Sequence, residues 1–323
     1  MPNDRKIHTS PVPRLGGVAI WLSTIITFLI LVLISWDYPY KNCLSGILLG
    51  GSMMFLLGFV DDLYDLNPKF KLAIQTGAAI IAFLLGVRID ALFNPFGAPI
   101  VLGIWSFPLT MLWLVGISNA MNFIDGVDGL AGGVSTISAV TLCIVALYTQ
   151  QPISALVAVI LAGAMLGFLL FNFHPAKIFM GDSGALFSGF TLAALSVTGV
   201  LKTVTVTMLL PIMILAVPIM DISYSVLRRI FKGANPFIAD SEHIHHKLIK
   251  AGLSHNRTVL IFCLICTAAC SIATIFVGAS RLYAIIVAIL LLIMLVIAQI
   301  SKSRKIDDIQ ENIISAGDKL SKE

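Results

Sequence analysis

Four clusters of acidic residues or histidines interrupt long apolar runs in this sequence. They are DDLYD at Asp61–Asp65, NFIDGVDG at Asn122–Gly129, MGDSG at Met180–Gly184 and HIHH at His243–His246. Carboxylate oxygens are typical ligands of Mg²⁺, whereas imidazoles and basic side chains bind phosphate groups. The four clusters can form one active site only if the fold brings them to the same place.

The first cluster follows directly on an apolar run that ends at Val60. If the helix continues, Asp61 and Asp65 share one face and Asp62 lies beside it. Adjacent carboxylates repel each other, so a divalent cation or a proton would stabilise them. Sites with few protein ligands are typical of Mg²⁺ that is bound together with substrate phosphates. A solvated helix end is the alternative interpretation.

The second cluster combines Asn122, Asp125 and Asp128 with two glycines, Gly126 and Gly129. Glycine permits tight turns and a close approach of the backbone to a ligand. The spacing does not match a calcium-binding loop. We interpret the segment as a ligand-binding turn, and an ordinary turn is the alternative.

In the third cluster, Asp182 lies just ahead of an apolar run, near a predicted helix N-terminus where backbone N–H groups favour anions. Asp182 or Ser183 could instead cap that helix. Lys177 and Phe179 precede it and are further candidates for substrate contacts.

The fourth cluster places His243, His245 and His246 after Arg228 and Arg229 in a long polar segment. A zinc site is disfavoured, because no cysteine partner and no HExxH pattern accompany the histidines. Imidazoles and basic groups that face acidic loops suit phosphate recognition better.

The elements that position these clusters are predicted to be membrane helices. The chain is 58% hydrophobic and 12% charged, with a mean hydropathy of +0.97, whereas soluble domains are about one quarter charged. Backbone groups must be hydrogen-bonded within the bilayer, so apolar runs of this length are expected to be helices. The predicted fold is an all-α, polytopic membrane protein with ten spans, at about 17–35, 43–60, 72–87, 103–121, 132–149, 152–171, 184–201, 203–220, 258–280 and 282–300.

The distribution of Lys and Arg predicts the orientation. With ten spans, all Lys and Arg residues except Lys41, Arg88, Lys202 and Arg281 lie on the same side as both termini. The positive-inside rule places that side, with all four clusters, in the cytoplasm. The net charge of +4 gives no sign of nucleic-acid binding.

No linker divides the chain, so residues 1–323 are interpreted as one membrane-embedded domain with a cytoplasmic tail at 301–323. The tail suits either an amphipathic interfacial helix or a solvated segment. Cys263, Cys266 and Cys270 share a helix face without histidine or carboxylate partners, so helix packing is favoured over a metal site.

Together the motifs resemble the polyprenyl-phosphate N-acetylhexosamine-1-phosphate transferases (glycosyltransferase family 4). The matching segments are PVPRLGG at Pro11–Gly17, DDLYD, NAMNFIDGVDGLAGG, NFHPAKIFMGDSG, and RRIFKGANPF running on to HIHHKL. The HIHH form resembles the WecA/TagO-like branch, which transfers GlcNAc-1-phosphate to undecaprenyl phosphate in the bacterial inner membrane and so initiates a cell-envelope polysaccharide. Members of that branch usually have another span before the PVPRLGG loop, whereas this sequence begins inside that loop.

The resemblance implies that the lipid phosphate attacks the β-phosphorus of a UDP-sugar and releases UMP, with Mg²⁺ or Mn²⁺ as cofactor. By analogy, Asp182 binds the metal, and Asp61 and Asp62 lie at the lipid phosphate, one of them as a base or as metal support. The remaining roles fall to three groups: nucleotide or other substrate binding by Asn122, Asp125, Asp128 and Lys177, stacking on uracil by Phe179, and phosphate binding by His243, His245 and His246.

Several alternatives stay open. A phosphate monoester has a second pKa near 6 and is largely deprotonated at neutral pH, so positioning is expected to contribute more than proton abstraction. The donor could be another UDP-N-acetylhexosamine or UDP-MurNAc-pentapeptide, and a homodimer is possible. A transporter is the rival class, but transporters place ionisable groups near the bilayer midplane, whereas here they gather at one face.

Overall fold

The computed structural model describes residues 13–34, 41–92, 94, 98–198, 209–233 and 244–279, together with 283, 285–287, 289, 290 and 293. Eleven helices lie within the continuous ranges: α1 (Gly16–Ile34), α2 (Lys41–Tyr64), α3 (Pro68–Leu84), α4 (Ser106–Ile124), α5 (Leu130–Tyr148), α6 (Pro152–Asn172), α7 (Gly181–Thr198), α8 (Leu209–Ile214), α9 (Ala216–Phe231), α10 (Ile244–Lys250) and α11 (His255–Phe276). The isolated residues between 283 and 293 are also helical.

The all-α membrane class is confirmed. Within the described part of the chain, five helices are long and apolar enough to cross a bilayer: Asn42–Tyr64, Gly103–Ile124, Leu130–Tyr148, Pro152–Asn172 and His255–Phe276. Helices α1, α3 and α7 also lie at predicted spans. The number of ten spans and their orientation stay predictions.

A two-stranded antiparallel hairpin connects α3 to α4, which the sequence analysis did not predict. It consists of β1 (Ala91–Leu92) and β2 (Ile100–Val101), with Ala91 opposite Val101. The strands are short, so the hairpin is a minor addition to a helical protein.

Residues 203–208 of the predicted span at 203–220 lie outside the described part of the chain, and the described remainder is not one continuous helix, because it is interrupted at Leu215 between α8 and α9. Pro218 has no N–H group, so it cannot donate to the carbonyl oxygen of Ile214 four residues earlier. The hydroxyl of Ser138 donates to that oxygen instead, at 2.9 Å. This replacement satisfies the carbonyl oxygen and makes the break tolerable inside an apolar bundle.

Helix α7 lies at the centre of the bundle and is buried along Ser183–Thr198. Small residues let the neighbouring helices approach it closely. A Cβ atom on Gly189 would collide with Met121 of α4, and a Cβ atom on Gly58 of α2 would collide with the backbone of Asp182. The contact at Gly58 brings the end of α2 against the start of α7, which positions the first and third clusters together.

Candidate active site

Three of the four clusters meet at one end of the helix bundle. The end of α2 carries Asp61 and Asp62, the turn after α4 carries Asp125 and Asp128, and the start of α7 carries Asp182. Electrostatic interactions connect Asp182 with the carboxylates of both other clusters. The predicted convergence is therefore observed for these clusters.

Lys71, at the start of α3, connects two of the carboxylates. Its Nζ lies 2.5 Å from Oδ2 of Asp61 and 3.4 Å from Oδ2 of Asp182. From the sequence, Lys71 is evidence only for the orientation, since lysines commonly flank membrane spans. The short distance in sequence between DDLYD and Lys71 could have predicted this contact. A short turn between two helices brings the chain back towards the carboxylates at the end of the first helix.

The turn between α2 and α3 explains how Lys71 reaches the site. Helix α2 ends at Tyr64, and Asp65 adopts a left-handed backbone with φ of 52°. The backbone N–H of Leu66 donates to Oδ1 of Asp61 at 2.8 Å. Asn67 then caps α3 by accepting from the N–H of Lys69 at 2.9 Å. The expectation that the helix continues through Asp65 is wrong: the N–H of Asp65 still donates to the carbonyl oxygen of Asp61 at 2.9 Å, but the left-handed backbone of Asp65 ends the helix.

Asp62 caps the N-terminus of α7 from outside that helix. Its Oδ1 accepts a hydrogen bond from the N–H of Asp182 and its Oδ2 accepts one from the N–H of Ser183, each at 3.1 Å. Arg14 lies 3.6 Å away, and the Asp62 side chain is only 6% exposed. Gly181 has φ of 69°, and a Cβ atom there would press on the Asp62 carboxylate. Asp62 thus holds the backbone that presents Asp182, while its role toward metal or substrate stays a prediction.

We expect Asp62→Asn to destabilise the folded protein by about 1–2 kcal/mol. The amide leaves an NH₂ group facing a helix N–H donor and removes the charge that favours the helix terminus. Thermal unfolding of the detergent-solubilised protein measures the change. Asp65→Asn is the matched control, because Asp65 is exposed three residues later. Equal unfolding temperatures for the two variants would contradict the capping role.

Asp182 lies in the first turn of α7 within an excess of negative charge. Burial and its contact with Asp61, with further repulsion from Asp62, raise the pKa of Asp182 to about 7, although Lys71 opposes the shift. A bound cation would offset this repulsion. The surroundings of Asp182 therefore favour a positively charged ligand.

Asp125 occupies the turn between α4 and α5. Burial raises the pKa of its carboxyl group well above the ordinary value, and repulsion from Asp182, Asp62 and Asp128 adds to the shift. Among the described residues, neither Asp125 nor the half-buried Asn122 has a side-chain hydrogen-bond partner. Both side chains can therefore bind a ligand without breaking a hydrogen bond within the described part of the chain.

Asp128 serves the adjacent loop at 173–180. Its Oδ2 lies 2.8 Å from Nδ1 of His174 and accepts a hydrogen bond from the N–H of Ala176 at 3.1 Å. Asn172 reinforces the same connection, since its Oδ1 accepts from the N–H of Gly129 at 2.9 Å. The structure thus gives Asp128 a positioning role that the sequence analysis missed, and its contact with a nucleotide stays a prediction.

The loop at 173–180 also pairs with the PVPRLGG segment. The N–H of Phe179 donates to the carbonyl oxygen of Pro13, and the N–H of Gly16 donates to the carbonyl oxygen of Phe179, each at 2.9 Å. The Phe179 side chain is half-buried and that of Lys177 is exposed. These bonds fix the backbone of Phe179, and the N–H of Lys177 donates to the carbonyl oxygen of Phe171 at 2.8 Å, which fixes the backbone of Lys177.

The fourth cluster is only partly described. His243 lies outside the described residues, as do the side chains of His245 and His246, although both belong to α10. The buried Asp221 of α9 accepts a hydrogen bond from the N–H of Ile244 at 2.9 Å. Asp221 therefore positions the start of the helix that carries the histidines.

We expect Asp221→Val to lower activity about tenfold, because the N–H of Ile244 loses its acceptor and α10 loses a tether worth about 1–3 kcal/mol. Asp221→Asn retains an acceptor oxygen and should preserve most of the activity. Steady-state kinetics of the two purified variants, compared at equal folded concentration, test this role. Equal losses in both variants would show that the charge, and not the hydrogen bond, matters.

Comparisons with known proteins agree with the geometry. The family model described as "Glycosyl transferase family 4" matches residues 44–200. A Bacillus subtilis (strain 168) protein, named a probable undecaprenyl-phosphate N-acetylglucosaminyl 1-phosphate transferase, is 41% identical over 266 residues, covering 82% of this chain and 73% of the relative.

Two further relatives carry related names. A decaprenyl-phosphate N-acetylglucosaminephosphotransferase of Mycobacterium tuberculosis (strain ATCC 25618 / H37Rv) is 36% identical, over 80% of this chain and 71% of its own. An undecaprenyl-phosphate alpha-N-acetylglucosaminyl 1-phosphate transferase of Escherichia coli (strain K12) is 31% identical, over 85% of this chain and 74% of its own. With these identities across most of both chains, the protein belongs to the polyprenyl-phosphate N-acetylhexosamine-1-phosphate transferases of glycosyl transferase family 4.

Proposed function

We propose that this protein transfers GlcNAc-1-phosphate from UDP-GlcNAc to a polyprenyl phosphate, most simply undecaprenyl phosphate, and releases UMP. The observation that carries the proposal is the pair of carboxylates, Asp61 and Asp182, that contact Lys71 at one end of an apolar bundle, with Asp125 near enough to interact with Asp182. Charged groups at a membrane surface suit a reaction between a soluble nucleotide and a lipid headgroup. The names of the relatives, which give a polyprenyl phosphate and the transfer of N-acetylglucosaminyl phosphate, support this pair of substrates.

The reaction needs positioning more than proton transfer. An oxygen of the lipid phosphate attacks the β-phosphorus of the UDP-sugar, and the bond from that phosphorus to the bridging oxygen breaks, so UMP leaves with the bridging oxygen. The attacking phosphate is already largely deprotonated at neutral pH. Lys71 supplies a fixed positive charge beside Asp61 and Asp182, where phosphates would gather.

The donor set fits Mg²⁺. Carboxylate oxygens of Asp182 and Asp61 converge on one point, now bridged by Lys71, and Asp125 is near enough to interact with Asp182. Among the described residues, no group of three or more His, Cys, Asp or Glu side chains has metal-site geometry. Mg²⁺ commonly takes one or two carboxylates and completes its coordination with substrate phosphates and water. When bound, it would neutralise phosphate charge, and Mn²⁺ would suit the same oxygens.

The other predicted site residues take complementary roles in the proposal. Asn122 and Asp125 would bind the nucleotide, and Phe179 would stack on uracil. Lys177 and the histidines of HIHH would contact phosphate groups. By the positive-inside rule, this end of the bundle would lie at the cytoplasmic face of the bacterial inner membrane, where the product would begin a cell-envelope polysaccharide.

Release of UMP by the purified, folded protein tests the proposed function. The reaction would contain undecaprenyl phosphate, Mg²⁺ and, in turn, UDP-GlcNAc, other UDP-N-acetylhexosamines and UDP-MurNAc-pentapeptide. We expect UMP with UDP-GlcNAc and little with the other donors. UMP with a different donor would correct the sugar, and no UMP with any donor would refute the reaction class.

A further inference from the structure

Two amide side chains form a reciprocal pair between α3 and α4. Nε2 of Gln75 donates to Oδ1 of Asn119 at 3.2 Å, and Nδ2 of Asn119 donates to Oε1 of Gln75 at 2.8 Å. Nδ2 of Asn119 also donates to the carbonyl oxygen of Val115 at 2.8 Å. Gln75 is only 2% exposed, and Asn119 is half-buried. The pair therefore connects two helices that each carry residues of the candidate site.

These hydrogen bonds leave the two amides little capacity for a ligand. A side-chain amide has two N–H donors, and those of Asn119 are used by Gln75 and by Val115. Gln75 is nearly inaccessible from outside the bundle. A substrate could bind to the N–H groups of Asn119 only by breaking the existing bonds. The pair is therefore suited to holding the helices in place.

The pair distinguishes one register of α3 against α4 from the others. The structure describes α3 along its whole length, and the buried residues of this helix are Gln75, Ala78, Ala79 and Ala82. Alanine methyl groups can pack at several positions along a neighbouring helix, whereas the two reciprocal bonds form at one position. A shift of α3 by one turn would leave amide groups unpaired inside an apolar bundle, which is unfavourable.

Other contacts connect the same two helices at the opposite end. The rings of Phe83 and Phe107 meet edge to face, with their centroids 5.2 Å apart. Phe83 follows Gln75 by more than two turns of α3, at about 3.6 residues per turn. The aromatic contact thus lies away from the candidate site, and the amide pair lies at the end of the interface that carries Lys71.

Each amide lies about one helical turn from a residue of the candidate site. Gln75 follows Lys71 by four residues, about 6 Å along α3, so the two share a helix face. Asn119 precedes Asn122 by three residues on α4. The Lys71 ammonium contacts two carboxylates of the site. The register of α3 against α4 therefore determines where this ammonium lies relative to Asn122 and the turn that follows.

We propose that Gln75 and Asn119 are positioning residues, which hold α3 in the register that places Lys71 correctly relative to the turn after α4. This role rests on the proposed function and adds to it two residues that act through Lys71 and do not touch substrate. The reciprocal bonds account for a single register, and the spacing on each helix accounts for the effect on the site. A pair that only stabilises the bundle is the competing interpretation.

Exchange of the two amides separates positioning from stability. Gln75→Leu leaves the Asn119 amide without its partner, and we expect kcat for UMP release to fall about tenfold, because small misplacements of catalytic groups are costly. The exchanged variant, Gln75→Asn with Asn119→Gln, keeps both amides and their combined length, so it should recover most of kcat. Gln75→Leu with Asn119→Leu removes both amides and should recover the unfolding temperature but not kcat. Recovery of kcat in this double-leucine variant would refute the positioning role.

Ser52→Ala is the matched control for loss of a hydrogen bond between helices. Nε1–H of Trp21 on α1 donates to the Ser52 hydroxyl on α2 at 3.0 Å. Ser52 precedes Asp61 by nine residues, about 14 Å along α2. We expect a lower unfolding temperature and an unchanged kcat, compared at equal folded concentration. Equal losses of kcat in Ser52→Ala and Gln75→Leu would show that the amide pair only stabilises the bundle.

A double-mutant cycle tests whether the pair acts through Lys71. If it does, Gln75→Leu should lower kcat less than about threefold in the Lys71→Met background, against about tenfold in the wild type, because the two changes remove the same contribution. An equal loss of kcat in both backgrounds would overturn the proposed connection with Lys71.

A spectroscopic measurement separates failure of this inference from failure of the proposed function. Reductive methylation with isotope-labelled formaldehyde makes lysine side chains visible by NMR, and the Lys71 signal is the one that Lys71→Arg lacks. Its chemical shift should change in Gln75→Leu and return in the exchanged variant. Change and return without UMP release would support the positioning role and refute the reaction. An unchanged Lys71 signal in Gln75→Leu would refute the positioning role, even in a protein that releases UMP.

Discussion

Asp182→Asn is expected to lower turnover at least about 10³-fold. The carboxylate lies in the first turn of a helix that is buried along its length, so its position is rigid. It also lies beside Lys71 and Asp61, at the centre of the proposed phosphate site. Loss of a charge that stabilises the transition state in a fixed geometry typically reduces rates by two to three orders of magnitude, and loss of a metal ligand adds to that.

The effect should be catalytic and should not arise from unfolding. Asp62 accepts a hydrogen bond from the backbone N–H of Asp182, which the substitution retains. We therefore expect an unfolding temperature close to that of the wild type. UMP release measured over a range of Mg²⁺ and Mn²⁺ concentrations is the test, with Asp65→Asn as the control for loss of a nearby exposed carboxylate. A variant that keeps its turnover and its dependence on Mg²⁺ would show that Asp182 is not the metal ligand.

The second large effect is expected at Lys71. Lys71→Met removes the cation that connects Asp61 with Asp182 and leaves their repulsion uncompensated. The proposed site would also lose a fixed positive charge for phosphate groups, so kcat should fall about 10²–10³-fold. The more negative site should at the same time bind Mg²⁺ more tightly, so half-saturation should occur at a lower Mg²⁺ concentration.

A fall in kcat together with tighter Mg²⁺ binding would identify an electrostatic role of Lys71. A merely structural lysine would lower the unfolding temperature and the folded fraction, without shifting the Mg²⁺ concentration at half-saturation. Lys69→Met is the matched control, because Lys69 is an exposed lysine at the same start of α3. Lys71→Arg keeps the charge and should recover part of kcat. Unchanged kcat in Lys71→Met would contradict the proposed electrostatic contribution.

The helical membrane class could be predicted because the bilayer imposes strong local rules. A long apolar run must satisfy its backbone hydrogen bonds internally, so length and composition are enough to predict helices such as α5 and α6. The carboxylates of three clusters could also be predicted to meet, because the predicted spans between the clusters place all of them on the same side of the bilayer. The break at Leu215 escaped prediction, since the groups that donate to the carbonyl oxygen of Ile214 belong to Ser138 and Cys270, which are distant in sequence.

The sequence by itself determined the class of protein, the approximate helices and the residue types available for phosphate chemistry. Only the tertiary structure decided how the carboxylates divide their work: Asp62 caps α7, Asp128 holds the loop at 173–180, and Lys71 bridges Asp61 and Asp182. The physical reason is that a carboxylate can accept hydrogen bonds from helix N–H groups, a histidine, an ammonium group or a ligand. Which partner it meets depends on contacts between helices that are far apart in the chain.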